Sequence, residues 1–284
     1  MKNLLKWGIA GLLMILLLSP FILIIAGNQL LHNRDIPERD SLIPVEEPKT
    51  IMAFFPHPDD EITVAGTLIS LIEKGHKVHL VCLTKGEAGS SKENFSKQEL
   101  GEIRSKEMKN AAAALGVKEL HLLDYPDSGL ADLGLDSIKG IARFWIEKIQ
   151  PEILLSYDSR VGLYGHPDHR LSGLAVQEVF LDNKGQSDFS PSQLFQVTLS
   201  PKQIAFALKV SEGFQRNYPK DPEKGLPLPD FSIDTHENFK QVLSAMQAHE
   251  SQQKVLKDLM PYHDQIPVWI YSRVFGREYF HEVN

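Results

Sequence analysis

The chain has 284 residues, of which 42% are hydrophobic and 24% are charged, and this composition is typical of a globular protein. The formal net charge is −7 and the lysines and arginines are scattered, which argues against nucleic acid as a partner because phosphate binding needs clustered cations. The single cysteine, Cys82, excludes an intramolecular disulfide and a cysteine-rich zinc site.

The first predicted element is the apolar run over residues 7–27, which follows Lys2 and Lys6. About 20 residues without a charge are long enough to cross a bilayer as a helix. The run is longer than the apolar part of a cleaved signal peptide, which is the alternative interpretation. The lysines favour a cytoplasmic N-terminus. The sequence therefore predicts a single-pass membrane anchor over residues 1–27, with the catalytic domain outside the cytoplasm.

Residues 28–48 are polar, contain several prolines and predict a linker, so that the main domain covers residues 49–284. Strands and helices then alternate. The predicted strands are 51–55, 78–84, 119–123 and 153–157, and the predicted helices are about 60–74, 97–115, 136–149 and 168–181. Such alternation implies right-handed crossovers and an α/β fold whose mostly parallel sheet is covered by helices on both faces.

The last third of the sequence is less regular. It predicts strands at 194–199, 204–210 and 231–234, and a proline-rich surface loop at 218–230. Apolar residues at helical spacing predict one long amphipathic helix over residues 237–260.

Two polar clusters follow the first and the fourth predicted strands. The first is the run Pro56-His57-Pro58-Asp59-Asp60-Glu61, and the second is His166-Pro167-Asp168-His169. Because the carboxyl ends of parallel strands lie at one rim of a sheet, we expect the two clusters to meet. Histidine and aspartate side chains supply the three ligands of a catalytic zinc site. Either cluster alone is equally typical of a helix-capping turn, but the pair favours a metal site.

The two clusters resemble the signature motifs of the LmbE-like or PIG-L-type N-deacetylases, which are zinc hydrolases that remove acetyl from N-acetylglucosaminyl groups. The further segments that carry the resemblance are 84–90, Arg104 with 111–117, 124–129 and 248–252. The resemblance extends from about residue 50 to the C-terminus. It implies a Rossmann-like sheet and a zinc-dependent enzyme, of bacterial type, that deacetylates an N-acetylamino sugar or a conjugate of one.

The resemblance also implies a set of metal ligands and a general base. His57, Asp60 and His169 match the zinc ligands, and Asp59 matches the general base that takes a proton from the attacking water. Ferrous iron is an alternative to zinc, because the same donor set accepts both ions. Glu61 is interpreted as a residue of the first helical turn and not as a ligand.

His166 and Asp168 of the second cluster, and Tyr164 just before it, match further catalytic positions of the family. His166, in its protonated form, is expected to stabilise the oxyanion of the tetrahedral intermediate. Asp168 is expected to keep His166 charged, because a nearby carboxylate raises the pKa of a histidine. Tyr164 matches a mobile tyrosine that can also reach the oxyanion, and plain packing is the alternative.

Four residues are predicted to contact the substrate. They are Glu87, Arg104, Asp127 and His249. For each of them a structural role is the alternative: a turn residue for Glu87 and Asp127, a solvated helix residue for Arg104, and a buried histidine bonded to a loop for His249.

Two other functions remain open from the sequence. One is a hydrolase of another sugar-linked amide that uses the same zinc site. The other is a catalytically silent, membrane-tethered carbohydrate-binding protein, which the intact ligand set and Asp59 argue against. The sequence predicts no oligomeric state.

Overall fold

The computed structural model describes residues 2–44, 47–89 and 94–284, and within these ranges eight strands form one sheet. The strands are β1 (Glu38–Arg39), β2 (Thr50–Phe55), β3 (Lys77–Thr84), β4 (Glu119–Tyr125), β5 (Ile153–Tyr157), β6 (Gln193–Thr198), β7 (Phe231–Asp234) and β8 (Arg277–Glu282). The helices are α1 (Lys2–Leu31), α2 (Ala65–Glu73), α3 (Lys97–Leu115), α4 (Leu130–Leu133), α5 (Leu135–Ile149), α6 (Gly162–Gly165), α7 (Pro167–Asn183), α8 (Pro201–Val210), α9 (Glu212–Asn217), α10 (Phe239–Ala248), α11 (Gln253–Leu259) and α12 (Val268–Phe275).

The sheet has the order β1-β7-β8-β6-β5-β2-β3-β4. Strands β4, β3, β2, β5 and β6 are parallel, and β8 is antiparallel to both β6 and β7. From β2 in the centre of the sheet, the chain continues outward to β3 and β4. It then returns to β5, on the other side of β2. This reversal opens a crevice between the carboxyl ends of β2 and β5, where open α/β sheets bind their ligands.

Helices cover both faces of the sheet, as the sequence predicts. In β2, Ile51, Ala53 and Phe55 point to one face, and Met52 and Phe54 point to the other. The first face packs under α2, α3 and α10, and the second packs under α5 and α7. Because both faces are buried, the central strands are almost entirely apolar, which is typical of parallel sheets.

Helix α3 shows how local signals set the ends of an element. Ser96 accepts a hydrogen bond from the backbone N–H of Glu99, and the Glu99 side chain accepts one from the backbone N–H of Ser96. This capping box begins the helix, and Gly116, with φ of 80°, ends it. The predicted range 97–115 is therefore confirmed.

The predicted membrane anchor is wrong. In the part of the chain that the structure describes, no helix is both long enough and apolar enough to cross a membrane. This finding corrects the predicted transmembrane helix over residues 1–27. It also corrects the membrane localisation and the outward-facing catalytic domain that were inferred from this helix.

The end of α1 packs against α12 of the main body, which the apolar run alone does not reveal. The Asn28 side-chain amide donates a hydrogen bond to the carbonyl of Arg273 (3.0 Å). His32 Nδ1 lies 2.7 Å from the hydroxyl of Tyr279. The segment that follows α1, predicted as a linker, contributes β1 to the sheet and buries Leu42.

The C-terminal third differs most from the sequence prediction. Residues 204–210, predicted as a strand, belong to α8, which begins at a capping box formed by Ser200 and Gln203. The predicted helix over 237–260 is broken at His249, where φ is −85° and ψ is 63°. The break separates α10 from α11 and turns His249 towards the carboxyl end of β2.

Candidate active site

The two polar clusters meet in the crevice between β2 and β5. His57 Nδ1 lies 3.2 Å from His169 Nε2. One carboxylate oxygen of Asp60 lies 3.4 Å from His57 Nδ1, and the other lies 3.1 Å from His169 Nε2. All three side chains are buried. Two imidazole nitrogens and a carboxylate therefore form a compact triangle beneath the protein surface.

This triangle has the dimensions of a metal site. Around a tetrahedral zinc ion with bonds of about 2.0–2.1 Å, the ligand atoms are about 3.3–3.4 Å apart. The two nitrogens are 3.2 Å apart, and each lies 3.1–3.4 Å from a different oxygen of Asp60, so these separations are close to this value. The donors are also of the type that zinc binds in catalytic sites. The residues present therefore fit a divalent metal ion.

The other nitrogen of His57 faces two carboxylates. His57 Nε2 lies 3.1 Å from Asp127 and 3.4 Å from Asp168. Burial alone would lower the pKa of His57, but hydrogen bonds to Asp127, Asp168 and Asp60 raise it well above its usual range. A carboxylate that accepts the second N–H of a metal-binding histidine fixes the ring and strengthens it as a ligand. Asp127 and Asp168 are placed to act in this way.

Tyr157, the last residue of β5, supports the other two members of the triangle. Its hydroxyl donates a hydrogen bond of 2.9 Å to Asp60, and its ring stacks on that of His169 with centroids 4.2 Å apart. The sequence analysis placed Tyr157 only in a strand. Its position at the carboxyl end of that strand is the signal that could have assigned it to the site.

Asp59 lies beside the triangle in a strained backbone conformation. Its φ of 93° is in the left-handed region, which non-glycine residues rarely adopt. Its carboxylate is 3.1 Å from the guanidinium of Arg104. Burial raises the pKa of Asp59 to about 6, although the positive charge of Arg104 opposes this shift. Asp59 and Asp60 both line the open cleft, whose volume is about 620 Å³.

Arg104 contacts the loop that carries Asp59. Its side chain is buried, and its two terminal nitrogens donate to the carbonyl oxygens of Gly86 (2.7 Å) and Pro58 (2.5 Å). Gly86 has φ of 72°, and a side chain there would meet the guanidinium. Arg104 therefore joins the loops after β2 and β3.

Glu61 and His249 form a buried pair behind Asp59. His249 Nε2 lies 2.6 Å from one oxygen of Glu61, and both side chains are fully buried. The other oxygen of Glu61 accepts the backbone N–H of Asp59 (3.0 Å). The sequence analysis left Glu61 out of the site, but the structure makes it the link between His249 and the strained loop.

Asp127 and Glu87 tie together the loops after β3 and β4. The backbone N–H of Asp127 donates to Glu87 (2.8 Å), and the backbone N–H of Ala88 donates to Asp127 (2.8 Å). The second carboxylate oxygen of Glu87 is buried and has no hydrogen-bond partner among the described residues. Ser90, the last residue of the matching segment 84–90, lies outside the described residues.

His166 differs from the expected protonated form. The backbone N–H of Asp168 donates to its Nδ1 (3.2 Å), and one of its nitrogens lies within 4.8 Å of those of His57 and His169. Burial lowers the pKa of His166 to about 4, and the positive charges of His169 and His57 add to this effect. Asp168 raises the pKa as expected but is outweighed. This shift favours the neutral form of His166, and the N–H donated to Nδ1 favours the tautomer with the proton on Nε2.

Tyr164 lies on α6, a short turn that Asp158 organises. The Asp158 carboxylate accepts the backbone N–H groups of Val161 (2.7 Å) and Leu163 (2.8 Å). Leu163 has φ of 65°, which places the turn under strain. The Tyr164 ring packs edge-on to His169, with centroids 5.1 Å apart, and lines the cleft. Sequence reasoning missed Asp158.

A further group of potential metal ligands lies near the start of β3 and β4, away from the cleft. It consists of His79, Glu119 and His121. The two imidazole rings are nearly coplanar, at 8°, with centroids 5.4 Å apart and nitrogens 3.1 Å apart. The two nitrogens are within hydrogen-bond distance, so one can donate an N–H to the other.

Known proteins are similar to this chain in sequence and in fold. The chain is 31% identical over 240 residues to a diacetylchitobiose deacetylase of Thermococcus kodakarensis, covering 83% of this chain and 82% of that protein. It is 28% identical over 240 residues to a probable N-acetyl-alpha-D-glucosaminyl L-malate deacetylase 2 of Bacillus anthracis, covering 78% and 94%. The solved N,N'-diacetylchitobiose deacetylase of Pyrococcus horikoshii shares the fold, with a TM-score of 0.62, 24% identity and coverage of 86% of each chain.

Two imidazoles and a carboxylate converge in the crevice of an α/β sheet, with a second carboxylate beside them, and this arrangement is that of a metal-dependent hydrolase. The family model described as "PIG-L: GlcNAc-PI de-N-acetylase" matches residues 52–180. Together with the relative at 31% identity, this match shows that the chain belongs to the PIG-L (LmbE-like) family. It is a metal-dependent N-deacetylase. The resemblance to this family is therefore confirmed, and the alternative prediction of a catalytically silent binding protein is rejected.

We expect Tyr157→Phe to weaken metal binding about 10-fold or more, because Asp60 loses the hydroxyl that orients it, although the ring that stacks on His169 remains. Tyr279→Phe is the matched control, since it removes a buried hydroxyl outside the site. Competition with a chelator measures both affinities. Wild-type affinity in Tyr157→Phe would contradict this role.

We expect His249→Ala to lower the free energy of unfolding by about 3–5 kcal/mol, because it leaves the Glu61 carboxylate buried without its partner. The double variant Glu61→Gln, His249→Ala should lose less stability, since position 61 then carries no buried charge without a partner. Urea denaturation of the three proteins at one pH measures the differences. A single variant within about 1 kcal/mol of the wild type would refute the pairing.

Proposed function

We propose that this protein is a zinc-dependent hydrolase that removes the N-acetyl group from an N-acetylglucosamine-type amino sugar or its conjugate. The observation that carries the proposal is the buried triangle of His57, Asp60 and His169 with Asp59 beside it. The substrate class is supported by the printed names of the relatives, which are deacetylases of diacetylchitobiose and of N-acetylglucosaminyl malate.

In this proposal His57 Nδ1, His169 Nε2 and the carboxylate of Asp60 hold the metal. When bound, zinc lowers the pKa of water and polarises the amide carbonyl. Zinc is proposed because the two imidazoles and one carboxylate form a common catalytic zinc set, and ferrous iron accepts the same donors.

Asp59 is the proposed general base. A carboxylate with a pKa of about 6 is deprotonated at neutral pH, yet basic enough to accept a proton from water that attacks the acetamide carbonyl. When the C–N bond breaks, Asp59 passes this proton to the departing amine, and the products are acetate and the free amino sugar. Arg104, Glu61 and His249 hold the strained loop that aims Asp59.

The oxyanion of the tetrahedral intermediate is proposed to accept hydrogen bonds from His166 and Tyr164. A neutral His166 whose Nδ1 accepts a backbone N–H presents its Nε2–H as a donor. The Tyr164 hydroxyl, whose pKa burial raises above its usual range, is a second donor. Both side chains line the cleft that contains Asp59.

The four predicted substrate contacts divide into two groups in this proposal. The carboxylate oxygen of Glu87 that has no partner among the described residues is the proposed acceptor for a sugar hydroxyl. Arg104, Asp127 and His249 pair with Asp59, His57 and Glu61, so their proposed role is to hold Asp59 and His57 in place.

We expect Asp59→Asn to keep the metal and to lose about 10²- to 10⁴-fold in turnover, because only proton transfer is removed. His57→Ala and His169→Ala should lose both metal and turnover. Metal analysis and acetate release from N-acetylglucosamine substrates measure the two properties. An equal loss of metal in all three variants would contradict a separate role for Asp59.

A further inference from the structure

An apolar cavity lies beside the active-site cleft. Its volume is about 160 Å³. Aliphatic and aromatic side chains form most of its wall, and those from the C-terminal helices include Phe206, Ala207, Val210, Phe239, Val242 and Phe275. The proposed hydrolysis of an acetamide does not use this space, so the reaction alone assigns no occupant to the cavity.

The cavity adjoins the cleft, and Thr63, Leu163 and Phe214 line both spaces. The Thr63 hydroxyl donates to the carbonyl of Asp60 (2.7 Å), so this part of the wall is one helical turn from a proposed metal ligand. Leu163 directly precedes Tyr164. A group attached to a substrate in the cleft therefore has only a short distance to cover before it reaches the cavity.

The size and the lining of the cavity define what it can hold. Apolar cavities of about 150 Å³ stay dry and take up benzene, so this cavity has room for about six carbon atoms. An acetyl group has a single carbon beyond its carbonyl. If the reaction is deacetylation, the occupant is consequently another part of the substrate.

The wall also contains polar side chains, among them Gln203, Asp258 and Glu278. Tyr271 lines the cavity and is 1% exposed, and its hydroxyl has no hydrogen-bond partner among the described residues. A buried hydroxyl without a partner is unfavourable, and an ether or hydroxyl oxygen on the occupant would satisfy it. The cavity therefore suits a hydrocarbon group with an oxygen substituent.

We propose that this cavity is a subsite for a hydrocarbon group of about six carbons on the aglycone of the amino-sugar substrate. The inference rests on the proposed deacetylase function and deepens it, because it assigns the enzyme to amino-sugar conjugates with an apolar aglycone.

The test is a series of N-acetylglucosamine glycosides with methyl, butyl, hexyl and decyl aglycones, assayed by acetate release from the zinc-loaded full chain. We expect kcat/KM to rise about twofold for each methylene group, or about 30-fold from methyl to hexyl, and then to level off. Twofold is about half of the effect of complete burial of a CH₂ group. The plateau should appear because the cavity is then full.

Two variants locate the effect. Ala207→Phe fills the cavity, so the ratio of kcat/KM between the hexyl and methyl glycosides should fall to about one. Ala205→Phe is the matched control on the same helix, at an exposed position that lines neither space, and should keep the wild-type ratio. Because each ratio is internal to one protein, a partly unfolded variant does not mimic the result.

Three results would overturn the inference. A flat series in a wild type that releases acetate would overturn the subsite and leave the proposed function intact. Failure to release acetate from any glycoside would overturn both. Faster cleavage of N-hexanoyl than of N-acetyl glucosamine, with the same sensitivity to Ala207→Phe, would assign the cavity to the acyl group and not to the aglycone.

Discussion

The site depends on the parallel pairing of β2 with β5. This pairing places the carboxyl ends of two strands from distant parts of the chain side by side, so that His57 and His169, 112 residues apart, lie 3.2 Å from each other. Every group in the proposed mechanism lies in or contacts a loop at this rim of the sheet. A shift of one residue would exchange the side chains that pack into the two core layers, Ile51, Ala53 and Phe55 on one face and Met52 and Phe54 on the other.

Around this point the protein buries several charges, and three buried pairs lie close together. Arg104 faces Asp59, His249 faces Glu61, and His57 faces Asp127. Buried pairs of this kind contribute little net stability, but breaking one is costly. Their effect is to hold the loop after β2 in a strained conformation, and that conformation directs Asp59 and Asp60 to different tasks although they are neighbours in sequence.

The sequence predicts the alternating core and the approach of the two clusters, because both follow from strand ends in a parallel sheet. It does not predict that Glu61 contacts His249, 188 residues away, or that Tyr157 supports Asp60. The first contact depends on how the C-terminal helices pack, because the break at His249 interrupts a pattern whose apolar spacing continues, and the second depends on side-chain positions at the ends of β2 and β5. The prediction of a membrane anchor rested on the hydrophobicity of residues 7–27 alone, which does not reveal that Asn28 and His32, just after the same apolar segment, bond to the main body.

The most direct test of the account is a crystal structure of the zinc-loaded protein, with anomalous data collected on both sides of the zinc edge. The account predicts one strong anomalous peak within about 2.2 Å of His57 Nδ1, His169 Nε2 and a carboxylate oxygen of Asp60. A peak coordinated instead by His57 Nε2, Asp127 and Asp168 would contradict the account. The absence of any peak near His57, Asp60 and His169 at full zinc loading would also contradict it.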